Sequence, residues 1–449
     1  MVDPALAEEL LALLCSGGAD YAEVFARAEA TLTLAREPGA PASVEHRGEG
    51  GVSLVLERGG RLWSSALGAE EPEALREEAR RVARGTGIPT VQYPPHGRAR
   101  GIPPAGLPRL TDAAGVERLL DAAAEAARAA DPRVCGFGAV YRETTSVTLR
   151  VGTEGATVRR ADRLTTLYSR ALAKEGAVAA WGTRAVGEPG GITADAAAGL
   201  GAEAARAACQ RAEARPAPAG TLPAVLGPQA AGLFVHEAVA HALEADALLE
   251  GGGPWGAAPG GRMASEALTV AQLVPAPGAL DDEGWPVAES VLVETGVWKG
   301  ALTDRRSALR LSLPRTGSGR RDSFRSLPAP RSHHLAVSAG RGSLQELLGG
   351  LEFGLYAARL GSGSVDPLTG TFRFPVAEGV VIREGAVGEA VRGAVLQGRT
   401  SEALAALVWA GGRRERHAGL CRRGGLSLPV WDLAPALLFE RIEVAREVP

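Results

Sequence analysis

A chain of 449 residues exceeds the size at which a single core stops growing, so two or three domains are expected. Apolar residues make up 45% of it, and 49 basic against 52 acidic residues leave a net charge of only −3. That balance excludes a global electrostatic attraction to nucleic acid or to an anionic membrane, so neither is expected as a partner, and basic pairs such as Arg320-Arg321 read as local surface.

Pro4 to Cys15 reads as a helix, with Pro4 suited to its first turn and Leu6, Leu10, Leu13 and Leu14 on one stripe. Tyr21 to Ala28 and Ala30 to Ala35 are strand-like, and Gly51 to Glu57, Arg58-Gly-Gly60 and Arg61 to Ser64 spell a hairpin. A helical pattern returns from Glu71 to Val82. Hairpins make antiparallel neighbours, so residues 1–90 are expected to form a small α+β unit rather than a doubly wound sheet. Prolines and glycines within 91–110 spell a linker. A central α+β unit, 111–215, follows with a helix from Val116 to Ala130. Its antiparallel strands are read at Val140–Glu143, Ser146–Val151 and Ala156–Arg160, and a helix from Gly201 to Ala214 closes it. Arg215-Pro-Ala-Pro-Ala-Gly220 marks the clearest boundary.

Residues 221–449 read as a large strand-rich domain built around one conspicuous helix, with strands near Ser290–Glu294, Val297–Leu302, Val380–Arg383 and Leu437–Val444. The Arg-, Ser- and Gly-rich stretch from Leu313 to Arg325 is expected to be an exposed loop, with a substrate lid as one use for it.

Cys15, Cys135, Cys209 and Cys421 are widely spaced, which suits a reducing compartment rather than a disulfide framework. The chain opens with Asp3, Glu8 and Glu9 instead of a basic segment ahead of an apolar one, and no apolar run nears 20 residues, so a cytoplasmic protein is expected. Asn is absent and Lys occurs only at 174 and 299, a bias that heat adaptation and GC-rich coding would both produce.

Chemistry concentrates in Gly232-Leu-Phe-Val-His-Glu-Ala-Val-Ala-His-Ala-Leu-Glu-Ala-Asp246. The zinc-protease signature H-E-x-x-H places two histidines one helical turn apart, whereas His236 and His241 are one residue further apart. Five residues of regular α-helix turn through about 500°, leaving the imidazoles roughly 140° apart. A π-type turn, or a helix that ends between them, would let both reach one ion. Without either, the pair reads as surface or satisfied core histidines, and Cys421 alone reads as a buried inert thiol.

In the string His236-Glu-Ala-Val-Ala-His241, with Leu243-Glu-Ala-Asp246 after it, the chain resembles the TldD/PmbA family of zinc-dependent peptidases, specifically its metal-bearing TldD type. Asp281-Asp-Glu-Gly284, Val291 to Val297, Gly354-Leu-Tyr356 and Val365 to Phe374 agree in order, as does Glu49 to Leu56. The resemblance implies a TldD/PmbA-like α+β fold and a Zn2+ ion held by His236, His241 and Cys421, the last in Gly419-Leu-Cys-Arg-Arg-Gly-Gly425. It also implies a homodimer, or a heterodimer with a paralogue that lacks the ligands. Departures are Ala240 where a glycine is usual, Ser332-His-His-Leu335 where Met-Thr-Asn-Thr is usual, and Cys421-Arg-Arg-Gly-Gly-Leu426 in place of Cys-Gly-Lys-x-Gly-Gln.

Two imidazoles and a thiolate leave a fourth zinc position for water, with Glu237 as the expected base for hydrolysis of unfolded or flexible peptides. A non-catalytic peptide-binding or partner-stabilising subunit, its metal structural or absent, is the alternative. Glu244 and Asp246 could orient the histidines or cap and solvate the helix end. The acidic turn Asp281, Asp282 and Glu283 reads as loop solvation or as a group orienting the site. His333 and His334 alternate on an extended segment and are not expected to be ligands. His46, His96, His417 and Gly361-Ser-Gly363 read as structural.

Overall fold

The computed structural model describes residues 2–68, 71–85, 107–253 and 255–447, so the expected linker lies outside them except for 107–110, as does His96. Helix α1 (Pro4–Cys15) has the expected bounds; Asp3 accepts from the Ala5 N–H at its start, and Leu10 and Leu14 are buried. The two strand-like stretches that follow form one strand, β1 (Tyr21–Arg36), because partners on both sides carry it through the polar Glu29. β2 (Ser43–Arg58) and β3 (Arg61–Gly68) form the expected hairpin. Gly59 and Gly60 sit at its turn with φ of 55° and 73°, a conformation glycine adopts without a Cβ clash. Helices α2 (Pro72–Ala83) and α3 (Ala113–Ala130) lead to β4 (Val134–Gly152), β5 (Val158–Glu175), β6 (Val178–Glu188) and helix α4 (Ala194–Glu213).

These strands make one antiparallel sheet in the order β3-β2-β1-β4-β5-β6. The stretches read as separate units, 1–90 and 111–215, therefore share a sheet, with β1 and β4 in register from Glu23–Gly152 to Arg36–Ala139. Local periodicity identifies each strand but carries no information about a partner so distant in sequence. Helices α1 and α2 pack on Ala22, Val24, Val52 and Leu54, and α3 and α4 on Leu32, Leu34, Tyr141 and Leu167.

The C-terminal region is strand-rich, as expected, and contains a closed barrel. Its ring runs through Gly220–Leu226, Phe353–Leu360, Thr371–Arg383, Ala394–Arg399 and Leu426–Arg446, the last pairing again with the first. Helix α5 (Pro228–Val235) packs against it, with the Phe234 ring centroid 5.3–5.7 Å from those of Phe372, Phe374 and Phe439. The chain is thus mixed α+β. No helix among the described residues is long and apolar enough to cross a membrane.

Two expectations fail at the junction of sheet and barrel region. The stretch Leu313 to Arg325 is not an exposed loop, and Arg320-Arg321 is not surface: Thr316, Ser318, Arg320 and Arg321 are buried. Nor is the acidic turn solvated, since Asp281, Asp282 and Glu283 are at most 5% exposed. Arg321 and Asp282 meet opposite charges there, whereas Arg320 donates to the Ser332 and Pro429 carbonyls and Asp281 accepts from the Glu283, Trp285 and Gly319 backbone N–H groups. Glu23 on β1 accepts from Arg321 at 2.5 Å and from Arg150 at 2.9 Å, and Asp282 accepts from Arg160 at 2.8 Å. Gly51 leaves room for Phe324, because a Cβ there would lie 2.3 Å from that ring and 2.2 Å from the Leu67 carbonyl oxygen.

Burial pushes the Glu283 carboxyl up to about 8, reinforced by the Asp304, Asp281 and Glu23 carboxylates and opposed by the Arg305 backbone N–H. An acid whose folded pKa lies above its unfolded value of about 4.3 contributes its full stabilisation below that value and loses it as pH rises through about 8. Wild-type stability measured by urea unfolding is therefore expected to fall between pH 6 and pH 9 by roughly 2 kcal/mol more than that of Glu283→Gln. Equal pH dependence in the two proteins would contradict this.

Candidate metal centre

Helix α5 starts with Gly227 at its cap and Pro228 in its first turn, and its regular winding stops at Val235. His236–Ala240 forms a π turn in which the His241 N–H donates to the His236 carbonyl, and His241–Leu243 is a single 3-10 turn. The widened turn takes up the extra residue between the histidines. Their ring centroids are 4.8 Å apart at an interplanar angle of 87°. Ala240, where a glycine is usual in the family it resembles, is fully buried.

Cys421 comes from the other side of the site, on the strand Leu407–Arg423. That strand pairs with Leu426–Arg446 through the two-residue turn Gly424-Gly425, both at positive φ (58° and 82°). The Cys421 Sγ lies 3.5 Å from His241 Nε2, and one donor atom from each of His236, His241 and Cys421 falls within 4.8 Å of the other two. Bonds of about 2.0–2.3 Å to a tetrahedral zinc would put such donors roughly 3.3–3.8 Å apart, so little closure is needed. All three are buried, and His236 Nε2 has no hydrogen-bond partner among the described residues. Two imidazoles, a thiol and an orphaned ring nitrogen fit a metal ion.

Each imidazole has its own carboxylate. His241 Nδ1 lies 3.0 Å from Glu244, and His236 Nδ1 lies 3.2 Å from Asp432. Glu244 is fully buried and also meets Arg331, at 3.2 Å, and Arg423. Asp246 instead accepts from Arg331 at 2.7 Å and from the Ala247 N–H at 2.8 Å. Burial pulls the His236 imidazolium down, but Asp432 and Cys421 overcome it and hold its pKa well above the ordinary value. The same opposition, with Glu244 the main attraction, leaves His241 at about 9. Burial pushes the Cys421 thiol up, and the two histidines more than reverse this, bringing it to about 7. The Asp432 and Glu244 carboxylates thus make the cavity electrostatically favourable to a cation, which would replace the protons of the two imidazoles and the thiol.

Glu237 stands apart as the partly exposed member, its carboxylate 3.7 Å from His241 Nε2. His333 and His334 do not join the trio: His333 Nε2 lies 3.0 Å from the Gly317 carbonyl, and the His334 ring meets that of Trp431 edge-to-face with centroids 4.9 Å apart. Asp281, Asp282 and Glu283 belong to the buried junction. Sequence reasoning missed Asp432, although a sign of it exists. The alternate positions of its strand read Leu426, Leu428, Val430, Asp432, Ala434 and Ala436, a lone carboxylate on the buried face. His417, read as structural, pairs across the hairpin with Asp432.

Comparison with known proteins identifies two family domains in this chain. The PmbA/TldA metallopeptidase central-domain model matches residues 106–215, and the C-terminal-domain model matches 219–446. A metalloprotease TldD homolog of Haemophilus influenzae is 33% identical over 249 residues, 54% of this chain and 52% of that protein. A zinc metalloprotease TldD homolog of Saccharolobus solfataricus is 29% identical over 232 residues, 50% and 52% of the two chains. The chain thus matches about half the length of these curated relatives. The crystal structure of TldE from Thermococcus kodakarensis superposes with a TM-score of 0.74 over 98% of this chain and 100% of that one; at 18% identity the likeness is one of fold.

Proposed function

This chain belongs to the PmbA/TldD family of metallopeptidases, and we propose that His236, His241 and Cys421 hold a zinc ion at which Glu237 promotes hydrolysis of unfolded or flexible peptides. The observation that carries this reading is the π turn, which swings both imidazoles toward Cys421 and leaves Glu237 on the open side. Bound zinc would supply Lewis acidity to a peptide carbonyl and to the attacking water. Glu237 takes the proton from that water on a carboxylate oxygen and returns it to the departing amine. Glu244 and Asp432 orient the two imidazoles through Nδ1, leaving Nε2 for the ion.

A peptide laid as an added strand would be held through its backbone, which favours flexible substrates over folded ones. The strand bearing Cys421 supports this, since among the described residues its only strand partner is Leu426–Arg446; residues 340–342 bond to its other edge at Ala410–Gly412, and no strand pairs with that edge nearer Cys421. We place the protein in the cytoplasm as a homodimer or as a heterodimer with a paralogue, the second supported by the fold shared with TldE.

A non-catalytic subunit with a structural metal is the alternative. Against it, the donor group contains three residues rather than four among those described. The test is to load the purified protein, with any captured partner, with zinc and incubate it with a mixed library of unfolded peptides and a folded control. Mass spectrometry should find cleaved peptides and an intact control. An uncut library at full zinc occupancy would sink the peptidase reading.

A further inference from the structure

We propose that Arg320 and Asp322 are positioning residues for Cys421, and that through them the N-terminal sheet holds the metal centre in shape; the inference rests on the reading of Cys421 as a metal ligand. Cys421 lies two residues from a two-residue turn, opposite Leu428 in the hairpin. A hairpin tip secured on one side only is prone to fray, and a ligand there would be placed loosely.

The outer edge of the second hairpin strand is secured by side chains. Arg320 donates to the Pro429 carbonyl at 3.0 Å, and Asp322 accepts from the Ser427 N–H at 3.1 Å. Ser427 and Pro429 flank Leu428, so their outward backbone groups lie on the edge away from Cys421. Arg320 and Asp322 thus occupy the place of a neighbouring strand for this short stretch. Parallel pairing with His334–Val337 takes over at Trp431.

Both anchors are themselves held. Arg320 also donates to the Ser332 carbonyl, and the second Asp322 oxygen accepts from the Ser326 hydroxyl at 2.7 Å. Arg321, between them, points the opposite way, as successive residues of an extended segment must. It reaches Glu23 on β1 at 2.5 Å and covers the Phe25 ring at 4.0 Å. Arg325 pairs with Glu49 on β2. One short segment therefore grips the sheet with 321 and 325 and the metal-bearing hairpin with 320 and 322.

The test uses the full-length protein, loaded with cobalt to read the thiolate-to-metal charge-transfer band and with zinc in competition with a chromophoric chelator. Asp322→Ala, which removes the acceptor for Ser427, is expected to weaken zinc binding by about 10-fold and to diminish the thiolate band. Asp322→Asn keeps an acceptor oxygen and should restore both, a rescue that lost charge or general destabilisation would not produce. Arg320→Met should weaken zinc to a similar degree, with the far-ultraviolet circular dichroism of the metal-free protein unchanged. Wild-type affinity and a full thiolate band in Asp322→Ala and Arg320→Met would overturn the proposal. Absence of the band from the wild-type protein would instead reject Cys421 as a ligand.

Discussion

Glu237→Gln is expected to lower peptide turnover by at least about 10²-fold while zinc content and assembly stay at wild-type levels. The amide has nearly the same size and can keep a hydrogen bond, but it cannot accept the proton of the attacking water. Glu237 is partly exposed and pairs with no arginine or lysine among the described residues, so its replacement leaves no opposite charge stranded in the core. The loss should appear in kcat and kcat/KM together, because proton transfer belongs to the transition state rather than to substrate binding. Unchanged turnover by a zinc-replete Glu237→Gln protein would remove this residue from the mechanism.

Cys421→Ser should act on the metal first. An alcohol is a harder and far less acidic donor than a thiol, so the variant is expected to bind zinc on the order of 10²-fold more weakly, with activity falling in step with occupancy. Raising free zinc should recover part of the activity in Cys421→Ser and none in Glu237→Gln, which separates the two roles in one titration. Unchanged zinc affinity would take Cys421 out of the coordination shell. Glu237, whose carboxylate lies 3.7 Å from His241 Nε2, would then be the group to examine for a third ligand.

The two charged stretches read as solvent-facing show where one-dimensional reasoning stops. Arg320-Arg321 and Asp281-Asp-Glu283 are hydrophilic by composition, and each alone would be costly to bury. Burial becomes tolerable because Glu23 and Arg160 arrive from strands far away in sequence to pair with Arg321 and Asp282, while backbone carbonyls accept from Arg320 and backbone N–H groups donate to Asp281. A buried ion pair is a property of two segments, so neither segment announces it.

The sequence by itself determined the local elements and the donor types. Apolar periodicity and turn glycines marked α1 and the β2–β3 hairpin, and the order of the motifs carried the likeness to a metallopeptidase family. The five-residue spacing of His236 and His241 also stated a condition: in a regular helix the pair could not share an ion. Only the tertiary structure decided how that condition was met, because a π turn is favoured less than continued α-helix and needs packing on both sides to hold it. Here the barrel supplies that packing around Phe234 and Ala240, and its strands bring Cys421 to His241 across 180 residues of chain. Strand Leu426–Arg446 sets Asp432 behind His236, and the segment held by the N-terminal sheet brings Arg320 and Asp322 to the hairpin edge. Periodicity in a chain is set by backbone geometry within a few residues, whereas a coordination shell is set by which distant strands pair.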